Sequence, residues 1–213
     1  MNFMQLRERQ PKFPVTVKTG EGVVELIWNK IEYADGYRVF ASPVGKNHFV
    51  GVINVKGTTA VMKKRANGVP MQYKVKAFRI ADGPDNFFGE SEIVIACPLE
   101  TPRRLTAIVG SDGICTLSWR YNSQCDGFKI YADSNESGKY SFVCYSGKNS
   151  CRLDSFTKSG KVSFVVRSFI MTGHMEKLGV SSAPAEAVLP KSKGAKAVQF
   201  DHSMIRKTAG DYN

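Results

Sequence analysis

Long apolar runs are missing from this chain of 213 residues. The longest, Ile93 to Cys97, is far short of the roughly 20 residues that cross a bilayer, so membrane insertion is not expected. The first ten residues also lack the apolar centre of a secretory signal, which leads to an expectation of synthesis and residence in a reducing cytoplasm. Cysteine is scarce and odd in number: Cys97, Cys115, Cys125, Cys144 and Cys151. A disulfide framework is therefore not expected, although Cys144 and Cys151 lie where a hairpin can bring them together or leave them apart. Histidine is scarcer still. His48, His174 and His202 have no neighbours at metal-ligand spacing.

Catalytic signatures are equally thin. There is no Gly-x-Ser-x-Gly elbow and no phosphate-cradling glycine loop, and Gly20-Glu21-Gly22 leads into a strand and reads as a turn. The sequence points to a protein that is not an enzyme, with no cofactor and no bound metal. Helical periodicity is nearly absent as well. What is present is ordinary globular composition, 42% hydrophobic and 23% charged, with a net charge of +11. The positive excess is spread along the chain. It is expected mainly on solvated faces, with weak, salt-sensitive attraction to polyanions as the alternative.

The chain writes one pattern twice. Val24-Glu25-Leu26-Ile27-Trp28 and Asp35-Gly36-Tyr37-Arg38-Val39-Phe40 recur as Cys115-Thr116-Leu117-Ser118-Trp119 and Asp126-Gly127-Phe128-Lys129-Ile130-Tyr131, 91 positions on. The same offset pairs Pro11 with Pro102, Tyr73 with Phe164 and Val75 with Val166. A constant offset over such a length marks a duplicated domain. Each copy alternates apolar and polar residues with period two, in short runs bounded by Gly, Asp, Asn or Pro. About seven strands per copy are expected, as in an antiparallel sandwich. The resulting division is an arm over 1–10, domains over 11–98 and 103–190, a linker over 99–102, and a basic tail over 191–213. In that scheme Trp28, Tyr37, Tyr73, Trp119, Phe128 and Phe164 build the two cores.

These residues resemble the fibronectin type III family. The opening proline, Leu-x-Trp on the second strand, Asp-Gly-Tyr-x-Val on the third and Tyr-x-Val-x-Ala on the sixth stand here as Pro11, Leu26 and Trp28, Asp35 to Val39, and Tyr73 to Ala77. The resemblance implies an all-β protein of two tandem immunoglobulin-like sandwiches with a short N-terminal arm and a C-terminal tail. It also implies a corner role for Tyr73, with its hydroxyl bonding back to backbone. Phe164 departs from the pattern and loses that hydroxyl.

Recognition in such folds sits on loops or sheet edges. The loop before the last strand carries Phe87 and Phe88, and its counterpart carries Met175 and Leu178. Either one phenylalanine tucks back onto the sandwich or the pair forms a contact surface. The recurrence of apolar residues at the matching loop favours the surface. In the tail, Phe200, Met204 and Ile205 are a further candidate contact. The expected role is docking as a non-catalytic structural or binding protein into a larger assembly of other proteins, in multiple copies. Unsignalled tandem sandwiches of this family resemble accessory proteins of bacteriophage virions. A cell-surface or carbohydrate-associated module, extracellular if the chain is a piece of a longer one, is the alternative. A polyanion binder is the third.

Overall fold

The computed structural model describes residues 12–83, 86–154 and 159–190. The arm 1–10 and the tail, with Phe200, Met204 and Ile205, lie outside the described residues. The chain divides into two units between Pro98 and Leu99.

In the first unit, β1 (Val15–Gly20), β2 (Val23–Trp28) and β5 (Thr59–Met62) form a three-stranded sheet in the order β1-β2-β5. A second sheet takes β4 (Val50–Val55), β3 (Gly36–Pro43), β6 (Met71–Phe78) and β7 (Phe87–Glu90) in that order, with β8 (Val94–Ala96) also pairing β6. All these strand pairs are antiparallel. Period-two alternation explains the layering. Val24, Leu26 and Trp28 from one sheet meet Tyr37, Val39, Tyr73, Val75 and Ala77 from the other, and all are buried. The Trp28 ring stands edge-on to Tyr37 at 5.3 Å.

The second unit repeats the plan. β10 (Cys115–Arg120) lies between β13 (Ser150–Leu153) and β9 (Arg103–Val109). β12 (Ser141–Ser146), β11 (Gly127–Asp133), β14 (Gly160–Thr172) and β15 (Met175–Leu178) form the larger sheet, with β16 (Ala185–Leu189) also on β14. Trp119 packs edge-on to Phe128 at 5.1 Å, and Tyr121 adds a further ring at 5.1 Å from Phe128. Phe164 is 1% exposed.

Among the described residues each unit has eight strands rather than seven, because the last strand is interrupted, at a stretch that holds Ser91 in the first unit and Ser182 in the second. The Val75 N–H donates to Ser91 Oγ at 2.8 Å, and the Val166 N–H donates to Ser182 Oγ at 3.0 Å. A hydroxyl thus stands where a ladder carbonyl would otherwise be, and regular pairing stops there. Both serines are buried.

The Asp-Gly motif has a structural reason, and it is the same in both copies. Asp35 Oδ2 accepts from the Ile80 N–H at 2.9 Å, while its own N–H donates to the Phe78 carbonyl at 3.0 Å. Asp126 does the same with Met171 at 2.6 Å and Phe169 at 2.9 Å. The glycine that follows leaves room for a ring. A Cβ on Gly36 would lie 2.6 Å from Phe78 Cζ, and one on Gly127 would lie 2.9 Å from Phe169 Cε1.

Two expectations need correction. The hydroxyl of Tyr73 was expected to bond to backbone, but the group that acts on it is the Arg65 side chain, which pulls its pKa down, while burial, the larger influence, raises it. Residues 99–102 were expected to be a linker, yet Leu99 is 2% exposed and packs within the second unit, and the Glu100 carbonyl accepts from Ser168 Oγ at 3.0 Å.

Candidate functional site

The apolar residues expected on loops are on strands. Phe87 and Phe88 belong to β7, and Met175 and Leu178 to β15. Phe88 is no contact residue: it is 3% exposed and lies in the first core. The physical reason is a register shift between Ala77 and Phe78, where Phe78 faces Phe87 and Ala77 faces Gly89, leaving Phe88 as the extra residue. Leu178 is half-buried, and Met175 stands 61% exposed where β14 turns into β15. Phe87 belongs to the first unit and Met175 to the second.

Phe87 instead joins the outer face of the first large sheet. Alternation along β3 and β6 that sends Tyr37, Val39, Tyr73 and Val75 inward leaves Arg38, Phe40, Lys74, Lys76 and Phe78 on the opposite face. Phe87 stands edge-on to Phe40 at 5.5 Å and to Phe78 at 6.4 Å. The Arg38 guanidinium lies 5.3 Å from the Phe87 centroid, and Lys76 Nζ lies 5.6 Å from the Phe40 centroid. Glu90 holds the ammonium groups in place, at 2.8 Å from Lys76 and 3.3 Å from Lys74. Burial pushes the Glu90 carboxyl up, but the two lysines outweigh it and leave the pKa below its ordinary value.

The corresponding face of the second unit carries its rings elsewhere. Phe142 and Tyr145 on β12 stack edge-on at 4.9 Å. Tyr131 meets Phe142 at 6.0 Å, and Tyr145 covers Phe169 at 5.6 Å. Lys129 Nζ sits 5.0 Å from the Tyr145 centroid and 2.6 Å from Glu176 Oε1. Burial lowers the Lys129 pKa, but hydrogen bonds to Glu176 and Tyr145 more than offset it, so the ammonium is retained. Phe142 remains 49% exposed and Val143 41%. Single exposed apolar residues are ordinary, but here Phe142 and Val143 stand open beside rings packed over the Lys129 ammonium.

Phe40, Tyr131, Phe142 and Tyr145 were not singled out in the sequence. A signal existed in the comparison of copies: at the repeat offset, Phe142 replaces Gly51 and Tyr145 replaces Asn54. Among the described residues, no group of three or more His, Cys, Asp or Glu side chains is placed to hold a metal ion.

A three-stranded sheet facing a five-stranded one, twice in tandem and each with a tryptophan between the sheets, defines the class: two fibronectin type III-like sandwiches. Among solved structures, the chain is similar to a two-domain fibronectin type III segment of chicken tenascin, at 16% identity over 82% of this chain and 96% of that one, with a TM-score of 0.44. It is also similar to the FN1-FN3 domains of chicken CNTN1, at 19% identity over 85% and 69%, with a TM-score of 0.37. No protein-family model matches the chain, and no curated protein matches it.

Proposed function

We propose that this is a non-catalytic binding module that docks into a larger protein assembly through the outer faces of its five-stranded sheets. The observation that carries the reading is the Tyr131–Phe142–Tyr145 ring system over Lys129, ordered from beneath and half open above. Aromatic rings supply large apolar area with few rotors to freeze, which suits a protein partner. Glu176 balances Lys129 beneath the rings of the second unit, so that face favours apolar and aromatic contact over polyanion attraction, whereas Glu90 offsets only one charge among Arg38, Lys74 and Lys76 on the first.

The assembly in this reading is a bacteriophage virion holding several copies of the chain. Its support is the resemblance of small tandem sandwiches to virion accessory proteins. The terminal segments 1–10 and 191–213, with Phe200, Met204 and Ile205, belong to the proposal from sequence alone.

Size-exclusion chromatography with light scattering on native source material tests it. The protein is expected in a large particle in many copies, with F142A/Y145A or deletion of residues 191–213 reducing its retention. Elution of the native protein as a free monomer would end the reading. Retention unchanged by F142A/Y145A would remove the sheet face from it. Steep salt dependence of retention on nucleic acid, with no particle, would favour the polyanion alternative.

A further inference from the structure

The thiols of Cys144 and Cys151 are 3.3 Å apart. Cys144 is on β12, which pairs β11 in the five-stranded sheet, and Cys151 is on β13, which pairs β10 in the three-stranded sheet. The sulfur pair therefore bridges the open side of the second sandwich. Both side chains pack against its core while staying partly exposed. At the repeat offset the first unit has Ile53 and Ala60, an apolar pair packed at the same place. Packing alone is thus met without sulfur, and the second unit has put two thiols in contact there. The remaining cysteines are differently placed: Cys97 and Cys115 are buried to 2% and 0% exposure, and Cys125 lies beside Tyr121.

We propose that Cys144 and Cys151 are a redox modification site at which a low-molecular-weight disulfide of the glutathione type oxidises the pair to a disulfide linking the two sheets. The Cys151 thiolate attacks one sulfur of the small disulfide. That S–S bond breaks, one small thiolate leaves, and Cys151 carries a mixed disulfide. Cys144 then loses its proton to solvent, and its thiolate attacks Cys151 Sγ and expels the second small thiolate. Two protein thiols and one small disulfide become one protein disulfide and two small thiols, with two electrons passing to the oxidant. The order follows the hydrogen bond within the pair. Either sulfur can donate; when Cys144 does, the bond holds Cys151 below the usual thiol pKa against the upward pull of burial and pushes Cys144 far up. Closure to a bond of roughly 2.0 Å requires side-chain rotation of about an ångström.

The test uses the full chain. After incubation with excess oxidised glutathione the intact mass should fall by two hydrogens, and on subsequent alkylation of free thiols two of the five cysteines should resist. Trypsin cuts after Lys148, between the two cysteines, so a non-reducing digest should yield peptide 140–148 joined to 149–152. Dithiothreitol should restore all five thiols, and the oxidised second unit should melt roughly 5–15 °C higher. Cys144→Ser should stop at one stable glutathione adduct on Cys151. Five free thiols after oxidation, a stable adduct on the wild type without ring closure, or a bridge to Cys97, Cys115 or Cys125 would each overturn the proposal. A fall of two hydrogens in Cys144→Ser would do the same.

Discussion

The backbone N–H of Asn122 donates to the Glu100 carboxylate at 3.0 Å, at the position where the Ile31 N–H donates to the Tyr37 hydroxyl at 2.8 Å in the first unit. The duplication kept the need for an acceptor at the end of the second strand and changed its source. Phe128 replaces Tyr37 and has no hydroxyl, so a residue from the start of the second unit reaches in. Glu100 also accepts from Ser123 Oγ at 2.7 Å.

That substitution makes the second unit sensitive to acid where the first is not, at this position. Burial raises the Glu100 pKa, but the Ser123 hydroxyl, the Asn122 and Ser123 N–H groups and the Arg103 charge together bring it below its ordinary value. A folded-state pKa below the unfolded one contributes stability above the unfolded pKa, and this is lost as pH falls through the folded value. Glu100→Gln should cost about 0.5–1 kcal/mol at pH 7, discounted for solvent screening, and little once the pH has fallen well below the ordinary carboxylate range. Urea unfolding of both proteins at the two pH values checks it; an equal loss at both would contradict the assignment.

Tyr37→Phe should leave the Ile31 N–H without its acceptor in a buried site and cost about 1–2 kcal/mol. The reverse change, Phe128→Tyr, should stabilise nothing, because Glu100 already holds the Asn122 N–H. Exchange of the Ile31 and Asn122 amides, read residue by residue, distinguishes the two.

Gly127→Ala should be the more damaging of the two glycine substitutions, at about 2 kcal/mol against about 1 kcal/mol for Gly36→Ala. A Cβ at Gly127 meets the Ser146 carbonyl at 3.0 Å as well as Phe169, which is 3% exposed beneath Tyr145. At Gly36 the close atoms all belong to the half-buried Phe78 ring, which has freedom to swing outward. Thermal melts of the paired variants give the ranking.

Ser91→Ala and Ser182→Ala should each cost about 1–3 kcal/mol, because each strips the acceptor from a buried strand N–H, that of Val75 or Val166. Threonine at either site keeps the oxygen and should recover part of the loss. Denaturant midpoints for the four variants settle the matter.

Much of the fold was legible because it rests on local pattern. Alternation placed Trp28, Tyr37, Trp119 and Phe128 between sheets, and the repeat offset marked out two copies. What escaped depends on register and on residues distant in sequence. A single irregularity beside Phe78 turned Phe88 inward, and one hydroxyl each from Ser91 and Ser182 split a strand in two. The outer-face rings escaped for the same reason: Phe40 and Phe87, or Tyr131 and Phe142, become neighbours only through strand pairing. Charge was misleading in its raw form, since a count of +11 does not reveal that Lys76 and Lys129 are committed to Glu90 and Glu176.

The two tryptophans, one per unit, are 4% and 5% exposed, and each meets one ring edge-on. Each half therefore carries a single shielded fluorophore whose emission shifts to longer wavelength when water reaches it. With Trp28→Phe the remaining light comes from the second half alone, and with Trp119→Phe from the first. The intact chain thus lets the opening of either sandwich be followed optically without cutting the two apart and without attaching a dye.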